Sequence, residues 1–314
     1  MELDEKIRQL NMPYEEKLQR SKELILEWYL QYNGEVYVSF SGGKDSTALL
    51  HLARSIKGCG DIKGCFIDTG LEYPEIRDFV KTTPNVDWIK PKLNFKQVVE
   101  KYGYPIISKE QSKYIYDIRH GSEHIKEIRT KGYIKNGKKS FILSKKWRPM
   151  LDADFEISDR CCYVMKKATV RKYEKETGLK PMIGMMAAES RLRYQAYIGT
   201  NCNAFQAKHP VSHPIMFWNE QDILRYLTEN KIEIASIYGE IKQDDKGNYY
   251  TTGVHRTGCM FCMYGVHLEG HPNRFEKMKE THPKQYEYIM NKLNGQHILD
   301  EYLKCAGDTG PLLL

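Results

Sequence analysis

The chain has 314 residues, 41 % hydrophobic and 28 % charged, enough to bury a substantial core in one large α/β domain or a domain with a smaller appendage. No apolar run approaches the roughly 18 residues that span a bilayer, and the polar start Met1-Glu2-Leu3-Asp4-Glu5-Lys6 is unlike a secretory signal. Neither a membrane-spanning nor a secreted protein is therefore expected, the cytoplasm is the default compartment, and the net charge of +7 permits a nucleotide or nucleic-acid partner without establishing one.

Leu18, Leu24, Ile25 and Trp28 recur at helical spacing and predict an N-terminal helix over 14–29. An apolar strand over 36–40 then runs into Ser41-Gly42-Gly43-Lys44-Asp45-Ser46 and a helix over 46–56. Such a loop suits phosphate: amides at a helix start converge on one spot, Gly42 and Gly43 allow close approach, Lys44 adds a charge, and Ser41 and Ser46 add hydroxyls. Its spacing is not that of the longer Walker loop. Strand 62–68, helix 74–81 and strand 86–89 continue a βαβα alternation, which argues a parallel, doubly wound sheet with ligands beyond the carboxyl ends of its strands. Asp68-Thr69-Gly70 lies at such an end, where a carboxylate can accept from a ribose hydroxyl or an adenine amino group.

A polar helix is expected over 109–128, then a basic stretch with a hairpin turn at Asn136-Gly137. Lysines from Lys135 to Lys146, with Arg148, offer either a solvated face or a track for a phosphate backbone, with Tyr133 and Trp147 for stacking. An apolar strand beginning at Ile183 is expected to end in Ala187-Ala188-Glu189-Ser190-Arg191-Leu192-Arg193, placing Arg191 and Arg193 either on phosphate or in a surface ion pair. Asn219 then caps an amphipathic helix through Ile223, Leu224 and Leu227.

Cys161-Cys162 and Cys259-Met260-Phe261-Cys262 can supply four thiolates to one soft-metal site. Adjacent cysteines depart from the paired spacing of structural zinc sites and suit a [4Fe-4S] cluster better; zinc, a redox disulfide and inert thiols stay as alternatives. Cys59, Cys65, Cys202 and Cys305 show no pairing pattern.

Ser41 to Ser46, Phe66-Ile67-Asp68-Thr69-Gly70 with Pro74-Glu75, Tyr104-Pro105, Cys161-Cys162, Gly184 to Arg191, and Arg256-Thr257-Gly258 with the C-x-x-C together resemble the phosphoadenosine phosphosulfate (PAPS) reductase family of PP-loop proteins, over about residues 35–270. The resemblance implies an adenine nucleotide alpha hydrolase fold: a nucleotide-binding domain over 35–235, including a basic insertion at 123–148, between a helical segment at 1–34 and a cysteine-containing helical and loop extension at 236–314. It implies nucleotide contacts from Ser39, Ser41, Gly42, Gly43, Lys44, Asp45, Ser46, Asp68, Gly70 and Gly184. Lys44, Asp45 and Arg191 are the expected catalytic residues, Cys161, Cys162, Cys259 and Cys262 the metal ligands, and His255, Arg256 and Thr257 further contacts. Sulfonucleotide reductases have a C-terminal Glu-Cys-Gly-(Ile/Leu)-His motif; here Leu303-Lys304-Cys305-Ala306-Gly307-Asp308 stands instead, and the loop lysine those enzymes tend to lack is kept. The chain thus looks closer to the ATP pyrophosphatases of DNA phosphorothioation and to cluster-dependent tRNA thiolation enzymes. Expected ligands are ATP, or APS or PAPS, with Mg²⁺. Expected partners are a nucleic-acid substrate and a sulfur-donor protein or thioredoxin-like reductant, with oligomerisation left open. A reductase using Cys305 and a non-catalytic nucleotide-sensing or nucleic-acid-binding subunit are the alternatives.

Overall fold

Along the strand Val36–Ser39, Val36 and Val38 join one large apolar cluster, while Tyr37 packs on the opposite side with Cys65 and Tyr173. A strand buried on both faces belongs inside a parallel sheet covered by helices. The computed structural model describes residues 3–135 and 138–307, without the side chains of 134–139. Contacts divide the chain into two compact units, each discontinuous in sequence. The first holds Met1–Asp68, Glu72–Lys90 and Thr169–Gly258; the second holds Thr69–Leu71, Pro91–Ala168 and Cys259–Leu314.

The first unit contains a six-stranded sheet in the order Val86–Ile89, Lys63–Ile67, Val36–Ser39, Lys180–Met182, Val211–Ser212, Asn203–Ala204. Pairing is parallel throughout except for the last strand. Val38 faces Gly64 on one neighbour and Met182 on the other, so the loop after residue 39 leaves the carboxyl edge at the middle of the sheet. The helix Lys44–Ser55 buries Ala48, Leu49, Leu52 and Ala53, and Tyr14–Gln31 buries Leu24, Ile25 and Trp28. Fully burying a side chain as large as Trp28 contributes at least about 2 kcal/mol. The helix Glu220–Glu229 begins at a reciprocal cap in which Asn219 accepts from the Asp222 amide and Asp222 from the Asn219 amide. Asp222 also meets Lys17 at 2.8 Å, so this buried carboxylate is both paired and hydrogen-bonded.

In the second unit, Met263–Tyr264 pairs in parallel with Ile106–Ile107, and Phe95 packs on Phe261. The Arg119 guanidinium donates to the carbonyls of Met150, Leu151, Ala153 and Phe155 at 2.7 to 3.1 Å, fixing the 3₁₀ turn Lys145–Asp152 and the chain after it.

Several local expectations need correction. The helix over 109–128 is two helices, Lys109–His120 and Glu123–Lys131, parted at Gly121, where a Cβ would stand 2.3 Å from the Asp117 carbonyl. The strand placed at Ile183 is Lys180–Met182; the chain leaves the sheet before Gly184, whose own position lies against the Asp45 backbone. The hairpin itself needs none: Tyr133–Lys135 and Lys138–Ser140 pair antiparallel, while the expected turn at Asn136 and Gly137 lies outside the described residues. Trp28 and Tyr238, from the segments 1–34 and 236–314, join the same apolar cluster of the first unit. Cys161-Cys162 falls in the second unit together with the C-x-x-C. Among the described residues, no helix is long and apolar enough to cross a membrane.

Candidate functional site

A cleft of about 320 Å³ opens in the first unit at the loop between Val36–Ser39 and Lys44–Ser55. Gly42 turns the chain with φ +71°, and a Cβ there would press on Val80 at 2.7 Å and Ile76 at 2.9 Å. The Ser46 hydroxyl accepts from the Ser41 amide at 3.1 Å and donates to the Gly43 carbonyl at 3.0 Å, with Ser41 Oγ 3.0 Å away. These bonds hold the loop open at a helix N-terminus, whose first amides lack intrahelical acceptors and favour an anion.

Lys44 is buried, with Nζ 2.5 Å from the His255 carbonyl, 2.9 Å from Glu220 Oε1 and above the Tyr238 ring. Tyr238 in turn hydrogen-bonds Thr257 at 2.6 Å. Opposite the loop, Glu189 accepts from the Met186 amide and pairs with both Arg193 and Arg256, the latter at 3.3 Å. Thus Lys44, Arg193 and Arg256 already stand at one cleft, each against a carboxylate that a polyphosphate would compete with. Asp45 has a buried Oδ1 without a hydrogen-bond partner, and burial raises its pKa against the opposing pull of Lys44 and Arg256. An orphaned carboxylate oxygen beside a phosphate loop fits a divalent cation. Behind Ile183, burial pushes the His213 imidazole down to about 4, so it is neutral at neutral pH.

In the second unit Cys161 and Cys162 lie on the short helical turn Arg160–Cys162, which continues into a π-turn at Tyr163–Lys167. The C-x-x-C is closed by the Cys262 amide donating to the Cys259 carbonyl at 3.1 Å, and Met260 is pinned to the Leu71 carbonyl at 2.7 Å. Burial pushes the Cys161 thiol up, and Cys162, Cys259 and Cys262 push it further; burial lifts Cys262 to about 11. The four sulfurs therefore share one electrostatic neighbourhood. Nearby, Arg274 donates to the Cys262 carbonyl at 3.1 Å, and the buried Tyr264 hydroxyl has no hydrogen-bond partner. Among the described residues no set of three or more His, Cys, Asp or Glu is drawn up as a ligating group, but four cysteines in one compact unit are, once deprotonated, the donor chemistry that a soft metal takes. Cys305 donates to the Lys146 carbonyl at 3.3 Å, and burial raises its pKa, which does not favour a thiolate nucleophile.

The sequence model of the phosphoadenosine phosphosulfate reductase domain matches residues 35–129 and 124–264. The chain belongs to this family. An uncharacterized protein of Methanocaldococcus jannaschii is 26 % identical over 280 residues, which are 86 % of this chain and 51 % of that protein, so the chain spans about half the length of this curated relative. The crystal structure of phosphoadenylyl-sulfate (PAPS) reductase from Candida auris, a phosphate complex, aligns with a TM-score of 0.41 at 16 % identity, covering 73 % of this chain and 89 % of that one.

In this PAPS reductase-family chain the cleft brings together Ser39, Ser41, Gly43, Lys44, Asp45, Ser46 and Gly184 from the residues expected, while Gly42 shapes the loop from behind. Asp68 directly follows the strand Lys63–Ile67 but is engaged by Arg77 at 2.9 Å and does not line the cleft; Gly70 falls in the second unit. Arg191 is exposed at the start of the helix Arg191–Gly199, and Arg193, two positions on and nearly opposite it, lines the cleft. Tyr238 and Glu189 line the cleft without having been singled out as contacts. Nothing near Tyr238 marks it in sequence; for Glu189 the spacing of four to Arg193 is the usable signal.

Proposed function

We propose that the protein binds ATP in the first unit's cleft and cleaves it to AMP and pyrophosphate, activating an acceptor for sulfur transfer. The observation behind this reading is Lys44, Arg193 and Arg256 gathered at a glycine-hinged helix start beside the unpartnered Asp45 oxygen. Phosphate oxygens would take the place of Glu220 and Glu189 on those cations. An acceptor oxygen attacks the α-phosphorus; the bond from that phosphorus to the α,β-bridging oxygen breaks, and pyrophosphate leaves with the oxygen while Lys44 stabilises its charge. Asp45 would hold Mg²⁺, which neutralises charge between phosphates. For the acceptor a nucleic acid is the class proposed; sulfide-level sulfur from a donor protein would then bond to the acceptor atom bearing that oxygen, whose bond to the oxygen breaks as AMP leaves with it. Cys161, Cys162, Cys259 and Cys262 would hold a [4Fe-4S] cluster, with zinc as the alternative; a cluster supplies thiolate-bound iron at the place where sulfur is handled. A reducing cytoplasm would keep these four cysteines out of disulfides.

Lys44→Ala tests the assignment. Pyrophosphate release is expected to fall by at least about 100-fold, as for loss of a principal charge stabiliser, with an unchanged circular dichroism spectrum. Normal turnover in that variant would end it. A second reading, reduction of APS or PAPS, draws on the family's name-giving activity, and sulfite release that disappears in Cys305→Ser would favour it.

A further inference from the structure

A second cleft, of about 250 Å³, lies wholly in the second unit and, Cys162 apart, holds none of the residues used by the chemistry above. One wall is the helix Lys109–His120, presenting Lys109, Lys113 and Tyr116. These positions are spaced i, i+4, i+7 and so share a face. The other wall is the stretch from Arg160 through the π-turn, presenting Arg160, Tyr163 and Lys167 at i, i+3, i+7. Each wall thus carries two cations and one tyrosine, and Cys162, on the second wall, also lines the cleft. Two carboxylates also line the cleft, Asp117 and Asp159. Asp117 is already held by Arg129 at 2.8 Å and Lys113 at 3.3 Å, so it does little to offset Lys109, Arg160 and Lys167, all of them exposed.

We propose that this cleft binds one nucleotide unit of a single-stranded nucleic acid, with the phosphates on either side of it on the two cation rows and the base against Tyr163 or Tyr116. Backbone cations combined with aromatic faces are how proteins hold single strands, since every base has a face to stack. A duplex cannot enter a cleft of this size without splaying a base out, and an acidic peptide would leave the tyrosines unused. This rests on the reading of an activated nucleic-acid acceptor, and adds where the acceptor sits: beside Cys162, one of the four clustered thiols.

Anisotropy titration of a short labelled oligouridylate with the full chain, purified anaerobically, tests it at rising KCl. Lys109→Glu/Lys167→Glu is expected to weaken binding by about tenfold or more and to flatten the log–log salt slope by about 1.4, the value for two phosphate contacts on a single strand. Tyr163→Leu is expected to weaken binding several-fold with the salt slope kept. The same charge change at exposed positions elsewhere in the unit, Lys284→Glu/Lys292→Glu, should do neither. Equal loss in that control, tighter binding of a duplex than of the strand, or capture of AMP but no strand would overturn the proposal. Strand binding by a protein that releases no pyrophosphate would keep the cleft and discard the ATP reading; pyrophosphate release without strand binding would do the reverse.

Discussion

At Asp45 the fold keeps a carboxylate half-buried with one oxygen unpartnered, an arrangement that favours ligand binding over stability. Its folded pKa is raised above the ordinary 3.8, first by burial. A raised carboxyl holds its proton more tightly when folded, so its contribution to stability is fullest below about 3.8 and is lost as pH rises through the folded value. Asparagine does not titrate. In chelator, Asp45→Asn is therefore expected to melt above the wild type at neutral pH, with a gain that shrinks on acidification, and to have lost pyrophosphate release. A wild type that is the more stable of the two at neutral pH would contradict this account of Asp45. The loop residues around it were legible in sequence because they are contiguous and their chemistry is local. Glu189 and Tyr238 were not, because each reaches the cleft only through the folding of a distant segment.

Elements were readable where hydrophobic period and turn chemistry agreed. The strand Val36–Ser39, the helix Pro74–Thr82 and the Asn219 cap stand where their patterns put them. The period failed where backbone packing overrode it. Ile183 and Met185 look like strand residues, yet the strand ends at Met182 and Gly184 lies against the Asp45 backbone. Gly121-Ser122 gave a break-and-cap signal inside what reads as one polar helix. The glycine whose role is most demanding is Gly42. With φ at +71° and methyl groups of Val80 and Ile76 within 3 Å of any Cβ, Gly42→Ala should cost about 2 kcal/mol or more and weaken nucleotide binding together with stability. Calorimetric melting with and without Mg-ATP measures both. An alanine variant that melts and binds like the wild type would mean that the loop does not need this turn.

For the molecule as a whole, the cysteines connect sequence and fold most directly. Two pairs almost a hundred residues apart in the chain were read as one site, and they fall in one compact unit in electrostatic contact. Metal analysis after anaerobic purification is expected to find about four irons and four sulfides per chain, lost in Cys161→Ser. Zinc without iron would make the four thiols a structural clasp and remove the iron-dependent part of the proposal. The second unit's cation-lined cleft was invisible beforehand, since its walls come from segments that show ordinary helical surface patterns when read singly.

The chain crosses from one unit to the other after residues 68, 71, 90, 168 and 258. On the ribosome, then, neither unit can finish early. Arg256 and Thr257, which line the first unit's cleft, are made long after the loop at Ser41 has emerged. Domains usually fold as units during vectorial synthesis, but here the loop at Ser41 must wait for the later segments that line its cleft. Any premature stop before residue 256 would leave a polypeptide with the recognition motif intact and no complete cleft.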